Sequence, residues 1–350
     1  MVCAEVCSFW KITNCEHGVN SLLLSSVVID CVTRLYLGSV IKPHFLIIGA
    51  QKAGTSSVRK FMERNANHFF VPRRELHFWN RDREYRDGAG VTEYLRNFEK
   101  AVPNQIVGEK SPSYLPSTSA AERIALHLPH VKLVAILRNP ADRAHSAYLH
   151  GLRIGAIPQN RSFSQAIRGY QKYQGVPYGD VVSQGFYFES LERYYQYFNA
   201  EQIHVMSFTQ LTQTPDMVLP ELMKFLVHEE FDFHSADINY KMPRVNVART
   251  SRFPQLVRRV RASKKLSVEQ KNYLSGLTFK KLTEAPILPE DRTFLDEIYA
   301  ESNSNLQKRL GPNFIFSLKV KPFRNSNRWS RHTFIQVLLN GELFVIYRKK

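Results

Sequence analysis

Cysteine is scarce in this sequence and confined to one end of it. The chain of 350 residues has four cysteines, and all of them precede Pro43: Cys3, Cys7, Cys15 and Cys31. The rest of the chain therefore holds no disulfide and needs no oxidising compartment to fold. The spacing of these cysteines matches no standard zinc finger, so we predict no metal site.

Long hydrophobic runs are also missing. Val19–Ile41 is fairly apolar, but Asp30 and Arg34 interrupt it, whereas a membrane-spanning helix needs about 20 mostly apolar residues with few charges. The basic start and small-residue cleavage site of a signal peptide are not evident. We interpret residues 1–42 as an N-terminal extension or amphipathic surface segment and favour a cytoplasmic location. The alternative is a Golgi type II membrane protein, with residues 1–42 in contact with the membrane.

Acidic residues are too few to balance the basic ones. Lysine and arginine number 48 against 31 aspartates and glutamates, which leaves a formal charge of +17. This excess predicts an anionic partner, and nucleotide phosphates, a polyanionic acceptor, nucleic acid and a membrane surface all satisfy it. The length is sufficient for one large α/β domain. We place that domain at residues 43–316 and assign residues 317–350 to a basic tail without a recognisable period.

What the sequence does contain is an anion-binding turn. Phe45–Ile48 predicts a strand buried on both faces, and Val58, Phe61 and Met62 follow at helical spacing. Between them, Gly49–Thr55 supplies two glycines, a lysine and a hydroxyl. A strand, a glycine-containing turn and a helix start place free backbone N–H groups at the positive end of a helix dipole, which favours phosphate.

This turn departs from the nucleotide-binding P-loop. That loop has its lysine directly after the second glycine and before Ser or Thr, whereas here Lys52 precedes Gly54. We therefore expect Lys52 to lie over the terminal group of the ligand. For the loop taken alone, an ordinary strand–helix turn with a solvated lysine is an equal interpretation.

A carboxylate lies between basic and aromatic residues shortly afterwards. The segment 73–79 is Arg-Arg-Glu-Leu-His-Phe-Trp, and in an extended segment Glu75 and His77 share one face because strand side chains repeat every two residues. A carboxylate beside apolar rings and cations suits a general base. In isolation, a salt-bridged surface glutamate is the simpler interpretation.

Two further basic groups lie at predicted strand ends. Gln105–Lys110 predicts a strand, and Val131–Leu137 predicts a buried strand that is followed at once by Arg138. Open parallel sheets bind ligands at these carboxyl ends. Ser146 lies about two turns into the helix predicted after Arg138. Arg138 and Ser146 together suit a second phosphate, because a guanidinium makes forked contacts with it.

Helices separate the predicted strands along the chain. This alternation predicts an α/β, P-loop-like three-layer fold in which helices flank a central, mostly parallel sheet. A basic segment, Asn246–Arg261, either closes over the ligand or forms a solvated face. The other predicted elements are a strand at Gln202–Phe208 and helices at Ser119–Leu128, Gly185–Phe198, Met217–Leu226 and Arg292–Leu310.

Taken together, the motifs resemble those of the sulfotransferases that use 3′-phosphoadenosine 5′-phosphosulfate as donor. Gly49–Thr55 looks like their 5′-phosphosulfate loop, and Arg138 with Ser146 resembles their 3′-phosphate motif. Arg-Glu-Leu-His-Phe at 74–78 and Gly-Glu-Lys-Ser-Pro-Ser-Tyr at 108–114 are similar to the carbohydrate branch, the heparan sulfate N- and 3-O-sulfotransferases.

This resemblance implies transfer of a sulfuryl group from that donor to a hydroxyl or amine of a glycan or small-molecule acceptor, without metal or nucleic acid. Glu75 would be the base that takes the acceptor's proton, with His77 and Lys110 beside the reacting centre. Lys52 would neutralise charge on the departing phosphate. The residues implied for donor binding are Gln51, Lys52, Ala53, Gly54, Thr55, Ser56, Arg138 and Ser146.

The sequence departs from the family at several points. Arg74 stands where the family has a lysine before the catalytic glutamate, and the C-terminal disulfide and Lys-Gly-Arg loop of the animal heparan enzymes are absent. We expect Arg249 or Arg252 to replace that loop near the adenosine. A P-loop nucleotide kinase and a non-catalytic basic binder of acidic glycans are the alternatives. The position of Lys52 argues against the first, and Glu75 argues against the second.

Overall fold

A computed structural model describes most of the chain between residues 41 and 311 and short stretches beyond. The described residues are 41–173, 180–227, 249–251, 259–260, 263, 266–267, 269–270, 273–274, 279–281, 286–311, 314, 316, 320–321, 332–339 and 342–349. Within these ranges, no helix is both long and apolar enough to cross a bilayer. The predictions made for the N-terminal extension lie outside them, as do Arg252 and most of the basic segment around it.

The strands of the described residues form one five-stranded, one three-stranded and one two-stranded sheet. Their bounds are β1 Phe45–Gly49, β2 Phe69–Phe70, β3 Ile106–Lys110, β4 Lys132–Leu137, β5 Ile203–Ser207, β6 Arg249–Ser251, β7 Phe279–Lys281, β8 Val320–Lys321, β9 His332–Leu339 and β10 Glu342–Lys349.

Helices connect the strands of the largest sheet. Their bounds are α1 Thr55–Arg64, α2 Asp82–Tyr85, α3 Val91–Leu95, α4 Ala120–His127, α5 Pro140–Ile154, α6 Phe163–Arg168, α7 Tyr187–Tyr195, α8 Phe208–Gln213, α9 Pro215–Leu226 and α10 Pro289–Leu310. Short 3₁₀ turns lie at Arg86–Gly88, Arg96–Phe98, Tyr170–Tyr173, Ser183–Gly185 and Ala200–Gln202.

The five-stranded sheet is parallel throughout, in the order β2-β3-β1-β4-β5. This confirms the predicted α/β fold with a central parallel sheet. The middle strand, β1, is buried at every position, which explains its continuous apolar sequence. Phe45 lies opposite Gly108 on one side and Lys132 on the other. A Cβ at Gly108 would lie only 2.1 Å from the ring of Phe45, so the close approach of β3 to β1 requires glycine there.

Parallel pairing brings the carboxyl ends of the strands to one edge of the sheet. β1 ends at Gly49, β3 at Lys110, β4 at Leu137 and β5 at Ser207, and each leads directly into a loop or helix. The residues predicted from separate parts of the sequence are therefore gathered at a single edge, where open α/β sheets bind their ligands.

The long helix α10 fixes α5, which follows β4. Ala141, Ala144 and Ala147 are buried in one cluster with Leu295 and Tyr299 of α10, and these small side chains let the two helices approach closely. The hydroxyl of Tyr299 donates to the carbonyl of Val182 at 2.7 Å, which pairs its buried polar atom. Helix α5 is thereby held with its N-terminus at the strand edge.

Several predicted boundaries change in the structure. The helix predicted at Gly185–Phe198 spans Tyr187–Tyr195, because a 3₁₀ turn occupies Ser183–Gly185. After residue 316, where the sequence showed no period, β8, β9 and β10 form an antiparallel sheet. These strands were not predicted from the sequence.

Candidate active site

The predicted anion-binding turn lies between β1 and α1. The backbone N–H of Ala50 donates to the Ile136 carbonyl at 2.8 Å, which ties the start of the turn to β4. Lys52 and Gly54 have φ of 69° and 91°. The left-handed region costs a residue with a side chain roughly 1–2 kcal/mol, so Lys52 is held there by the surrounding fold. A Cβ at Gly54 would also lie 2.9 Å from the Phe208 ring.

The start of α1 presents an uncompensated positive end. Gly54 is its N-cap, no side chain caps the helix, and its first turn contains no acidic residue. Thr55 is buried, whereas Ser56 is half-buried at the mouth of the turn. Unpaired N–H groups at a helix N-terminus attract anions through hydrogen bonds and the helix dipole. Gln51, half-buried, and Ala53, buried, complete the turn.

Positive charge is concentrated around Lys52. Burial, followed by the guanidinium groups of Arg153 and Arg138, lowers the pKa of Lys52 to about 8, and Glu75 offsets only part of this. A bound anion relieves this repulsion, and the arrangement therefore favours a negatively charged ligand.

Arg138 joins the end of β4 to the turn. One of its Nη atoms donates to the Lys52 carbonyl at 3.4 Å, and its guanidinium carbon lies 5.0 Å from the centre of the Phe208 ring. The Arg138 carbonyl accepts a hydrogen bond from the hydroxyl of Tyr187 at 3.0 Å. Asn139 then caps α5 through its side chain. Arg138 is consequently fixed beside the anion-binding turn, as the sequence predicted.

Ser146 is placed by α5, which begins two residues after Arg138. It is half-buried in the second turn of that helix. The prediction that both residues belong to one strand–helix unit is confirmed. Their joint contact with a phosphate stays a prediction.

Glu75, His77 and Lys110 meet next to the turn. The Nζ of Lys110 contacts Glu75 Oε1 and lies 3.3 Å from Ser56 Oγ on α1. His77 Nε2 lies 3.1 Å from Glu75 Oε2. Lys110, which is 4% exposed, thus connects the carboxylate to the start of the helix. The structure brings together the residues that the resemblance implied for the reacting centre.

The contact between Glu75 and His77 does not arise from an extended strand. The chain is irregular there, and His77 has φ of 53°, in the left-handed region. The imidazole of His77 and the carboxylate of Glu75 meet because the backbone turns between the two residues. The neighbouring Arg74 is exposed and donates to Asn97 at 3.0 Å.

Two opposing effects determine the state of this carboxylate. Burial acts to raise the pKa of Glu75, but the hydrogen bond from His77 and the charge and hydrogen bond of Lys110 outweigh it and bring the pKa to about 2. Burial also lowers the pKa of Lys110, although Glu75 acts to raise it. Glu75 is therefore ionised at neutral pH and able to accept a proton once Lys110 is drawn away.

Two residues that shape the site were not predicted from the sequence. Phe208 covers Gly54 and Arg138, and Ser113 Oγ lies 2.6 Å from His77 Nδ1. Each follows the carboxyl end of a parallel strand, and that position was the available signal. The assembled site has a cationic pocket at a helix N-terminus and an ionised carboxylate at its rim. Such an arrangement can hold a phosphate-like leaving group and deprotonate a nucleophile.

Comparison with known proteins defines the family. Residues 42–302 match the sequence profile described as the sulfotransferase domain, and the chain belongs to that family. A sulfotransferase from Alicyclobacillus acidocaldarius has the same fold, with a TM-score of 0.56 at 22% identity over 77% of this chain and 96% of that one. The family match includes the five-stranded sheet, the anion-binding turn and α10 as far as residue 302, and family membership favours a sulfotransferase over the nucleotide-kinase alternative.

Two animal enzymes are similar in sequence. A bifunctional heparan sulfate N-deacetylase/N-sulfotransferase of Drosophila melanogaster is 30% identical over 217 residues, which are 57% of this chain and 21% of the relative. Human heparan sulfate glucosamine 3-O-sulfotransferase 5 is 34% identical over 192 residues, or 53% of each protein. The chain thus matches about a fifth to a half of these relatives' lengths.

Proposed function

We propose that this protein transfers a sulfuryl group from 3′-phosphoadenosine 5′-phosphosulfate to a hydroxyl or amine of a carbohydrate, with Glu75 as general base. The bond between sulfur and the 5′-phosphate oxygen breaks, and a bond from sulfur to the acceptor oxygen or nitrogen forms. The acceptor's proton passes to the Glu75 carboxylate. The other product is adenosine 3′,5′-bisphosphate.

One observation carries this proposal: the contact of Lys110 with both Glu75 and Ser56. It brings the carboxylate proposed as the base to the N-terminus of the helix proposed to hold the donor. Binding of the phosphosulfate requires only the anion-binding turn. An ionised carboxylate at its rim would repel such a ligand and has no use in a passive binding site. An ionised carboxylate is useful where the acceptor must lose a proton as the sulfuryl group is transferred.

The division of roles follows from the positions of the cations. Lys52 and the backbone N–H groups at Gly54, Thr55 and Ser56 face the 5′-phosphosulfate, and Lys52 offsets the charge that develops on the leaving oxygen. Arg138 and Ser146 bind the 3′-phosphate. This separation of the two anionic groups explains why the cations lie at the ends of two adjacent strands, β1 and β4.

The low pKa of Glu75 fits a base that is activated late. Against the effect of burial, the hydrogen bond from His77 and the charge of Lys110 hold the carboxylate ionised before the reaction. As Lys110 turns towards the sulfuryl oxygens, the carboxylate loses its stabilising cation and its proton affinity rises. Proton transfer and sulfuryl transfer are thereby coupled through one lysine. His77 remains in contact with the carboxylate and keeps it oriented towards the acceptor.

The acceptor is proposed from the relatives. Both named animal enzymes act on heparan sulfate, one at an amine and the other at a hydroxyl of glucosamine, as their names state. The exposed Arg73 and Arg74 directly precede Glu75 and give the rim of the site a positive charge suited to an anionic glycan.

The test is transfer of radioactive sulfur from labelled donor to a panel of glycans, without added metal. The panel contains de-N-sulfated heparan sulfate, N-acetylated heparosan and chondroitin, and disaccharide analysis distinguishes N- from O-sulfation. We expect label in a glucosamine-containing glycan. Glycan binding without any transfer of label would instead support the non-catalytic binder and contradict the proposal.

A further inference from the structure

A second buried carboxylate, Glu109, lies directly behind the proposed reacting centre. It precedes Lys110 in β3, so the two side chains emerge on opposite faces of the sheet. Glu109 is completely buried. The proposed chemistry makes no use of it, and a buried carboxylate without a role is costly to retain.

Three hydroxyl groups surround Glu109. Ser111 and Tyr114 donate to its Oε1 at 2.6 and 2.8 Å, and Tyr94 donates to its Oε2 at 2.7 Å. Burial raises the pKa of both tyrosines, which keeps their hydroxyl protons available for donation. The carboxylate is therefore fully paired within the core.

Two of these hydroxyls also contact the loop that carries Glu75 and His77. The backbone N–H of His77 donates to Ser111 Oγ at 3.0 Å, and that of Phe78 donates to the Tyr114 hydroxyl at 2.9 Å. A hydroxyl has a single proton. Because Glu109 accepts that proton, the oxygens of Ser111 and Tyr114 are left to accept from the loop. Glu109 thus sets the direction of both hydrogen bonds.

The supporting segment is itself rigid. The backbone N–H groups of Ser111 and Leu115 donate to the carbonyls of Ile47 and Ile48, which continues the pairing of β3 with β1. The Tyr194 hydroxyl donates to the Tyr114 carbonyl at 2.8 Å. The loop is therefore fastened to the central sheet at the point where His77 adopts its left-handed conformation.

We propose that Glu109 is a positioning residue which, through Ser111 and Tyr114, holds the 75–78 loop so that Glu75 and His77 face the donor site. This inference rests on the proposed function. It assigns catalytic importance to a carboxylate that touches neither donor nor acceptor. A wholly structural role, in which Glu109 merely satisfies buried hydroxyls, is the alternative.

The chain offers a matched set of variants for the test. Ser111→Ala and Tyr114→Phe each remove one hydroxyl that links Glu109 to the loop. Tyr94→Phe removes a hydroxyl from the same carboxylate but leaves both links intact, and it retains the ring that stacks on Phe78 at 4.8 Å. All three lose one hydrogen bond to Glu109, whereas only Ser111→Ala and Tyr114→Phe also lose a hydrogen bond from the loop.

We expect kcat for sulfuryl transfer to fall roughly tenfold in Ser111→Ala and Tyr114→Phe, since a small misplacement of reacting groups is costly. The Kd for adenosine 3′,5′-bisphosphate should stay within about twofold. In the same two variants the acidic limb of kcat/KM should move to higher pH as the His77 contact loosens. Glu75 faces Lys110 and His77, with Lys52 nearby, and these three residues are unchanged in every variant. Tyr94→Phe should match the wild type in kcat and pH profile.

Equal kcat and pH profiles in Tyr114→Phe and Tyr94→Phe, with an active wild type, would overturn the inference and leave the proposed function standing. Loss of bisphosphate affinity in parallel with kcat would also overturn it, because the change would then reach the donor site. A folded wild type that transfers no label to any acceptor contradicts both proposals. Thermal unfolding of each variant measures how much of it is folded at the assay temperature, so that kcat is compared per folded molecule.

Discussion

Charge is arranged differently in the proposed active site and in the interface of α10 with α5 and α6. At that interface, two arginines each pair with a carboxylate: Arg168 pairs with Asp291, which also accepts from Ser164 at 2.6 Å, and Arg292 pairs with Asp142. At the site, Lys52 lies close to Arg153, Arg138 and Lys110, and Glu75 offsets only part of their charge.

The difference shows which charges stabilise the fold and which are available to a ligand. The two charges of a matched pair neutralise each other, and the pair contributes to the free energy of folding. The cations of the site repel one another: burial lowers the pKa of Lys52, and the charges of Arg153 and Arg138 lower it further. That repulsion is relieved only when an anion binds. Substitutions in the two regions should therefore affect different measurements.

The largest effect is expected from Glu75→Gln. The amide has nearly the same shape but does not take the acceptor's proton, so kcat should fall roughly a thousandfold. Binding of adenosine 3′,5′-bisphosphate should be nearly unchanged, because the anion-binding turn is intact. Steady-state kinetics and calorimetry measure the two quantities. A variant with wild-type turnover and impaired nucleotide binding would show that Glu75 belongs to the donor site instead.

The next effect is the loss of nucleotide selectivity in Arg138→Ala. A charged hydrogen-bonded contact contributes about 2 kcal/mol, so affinity for adenosine 3′,5′-bisphosphate should drop roughly thirtyfold. Affinity for adenosine 5′-monophosphate should change much less, since it lacks the 3′-phosphate. Both ligands are titrated into both proteins. An equal loss for the two nucleotides would contradict the 3′-phosphate assignment.

Asp291→Ala tests the other side of the comparison. Asp291 is only 1% exposed, whereas its partner Arg168 is 43% exposed and becomes solvated when the carboxylate is removed. We expect the free energy of unfolding to fall by about 2 kcal/mol, with kcat of the folded protein unchanged. Glu192→Ala breaks an exposed pair with Arg309 and serves as the control, with a change of less than about 0.5 kcal/mol. If Asp291→Ala reduced kcat while stability stayed constant, the division between the regions would fail.

The smallest effect is the pH dependence of donor binding. The pKa of Lys52 is about 8 in the free protein, so its charge is present below pH 8 and lost above it. Affinity for the bisphosphate should therefore decline towards a tenfold loss per pH unit as pH rises past that value. Lys52→Arg keeps its charge and should abolish the decline. Calorimetry at pH 7 and 9 measures the bisphosphate affinity of the wild type and of Lys52→Arg. An identical decline in the two proteins would show that a group other than Lys52 titrates.

The predictable parts of the molecule are those that depend on local sequence. The apolar runs of β1 and β4, the glycine-containing turn and the helix starts after them all lie within short stretches, and the structure confirms them. The edge of the sheet was predictable for the same reason, because parallel strands align their ends. Arg138 and Lys52 were thereby placed at the site without knowledge of any long-range contact.

The contacts within the site were beyond local inference. Lys110 and Glu75 are 35 residues apart, and their pairing depends on how the loop crosses the end of β3. The left-handed turn at His77 has no glycine to signal it. Phe208 covers the anion-binding turn only because β5 lies next to β4 in the sheet. Each of these features is determined by packing between distant segments.

The most direct test of the account is calorimetric binding of adenosine 3′,5′-bisphosphate against ATP, without added metal. An unbalanced cationic site with separate positions for the 5′- and 3′-groups should bind the bisphosphate clearly more tightly. Preference for ATP, or binding of neither nucleotide by the folded protein, would contradict the assignment of Lys52, Arg138 and Ser146 to the donor.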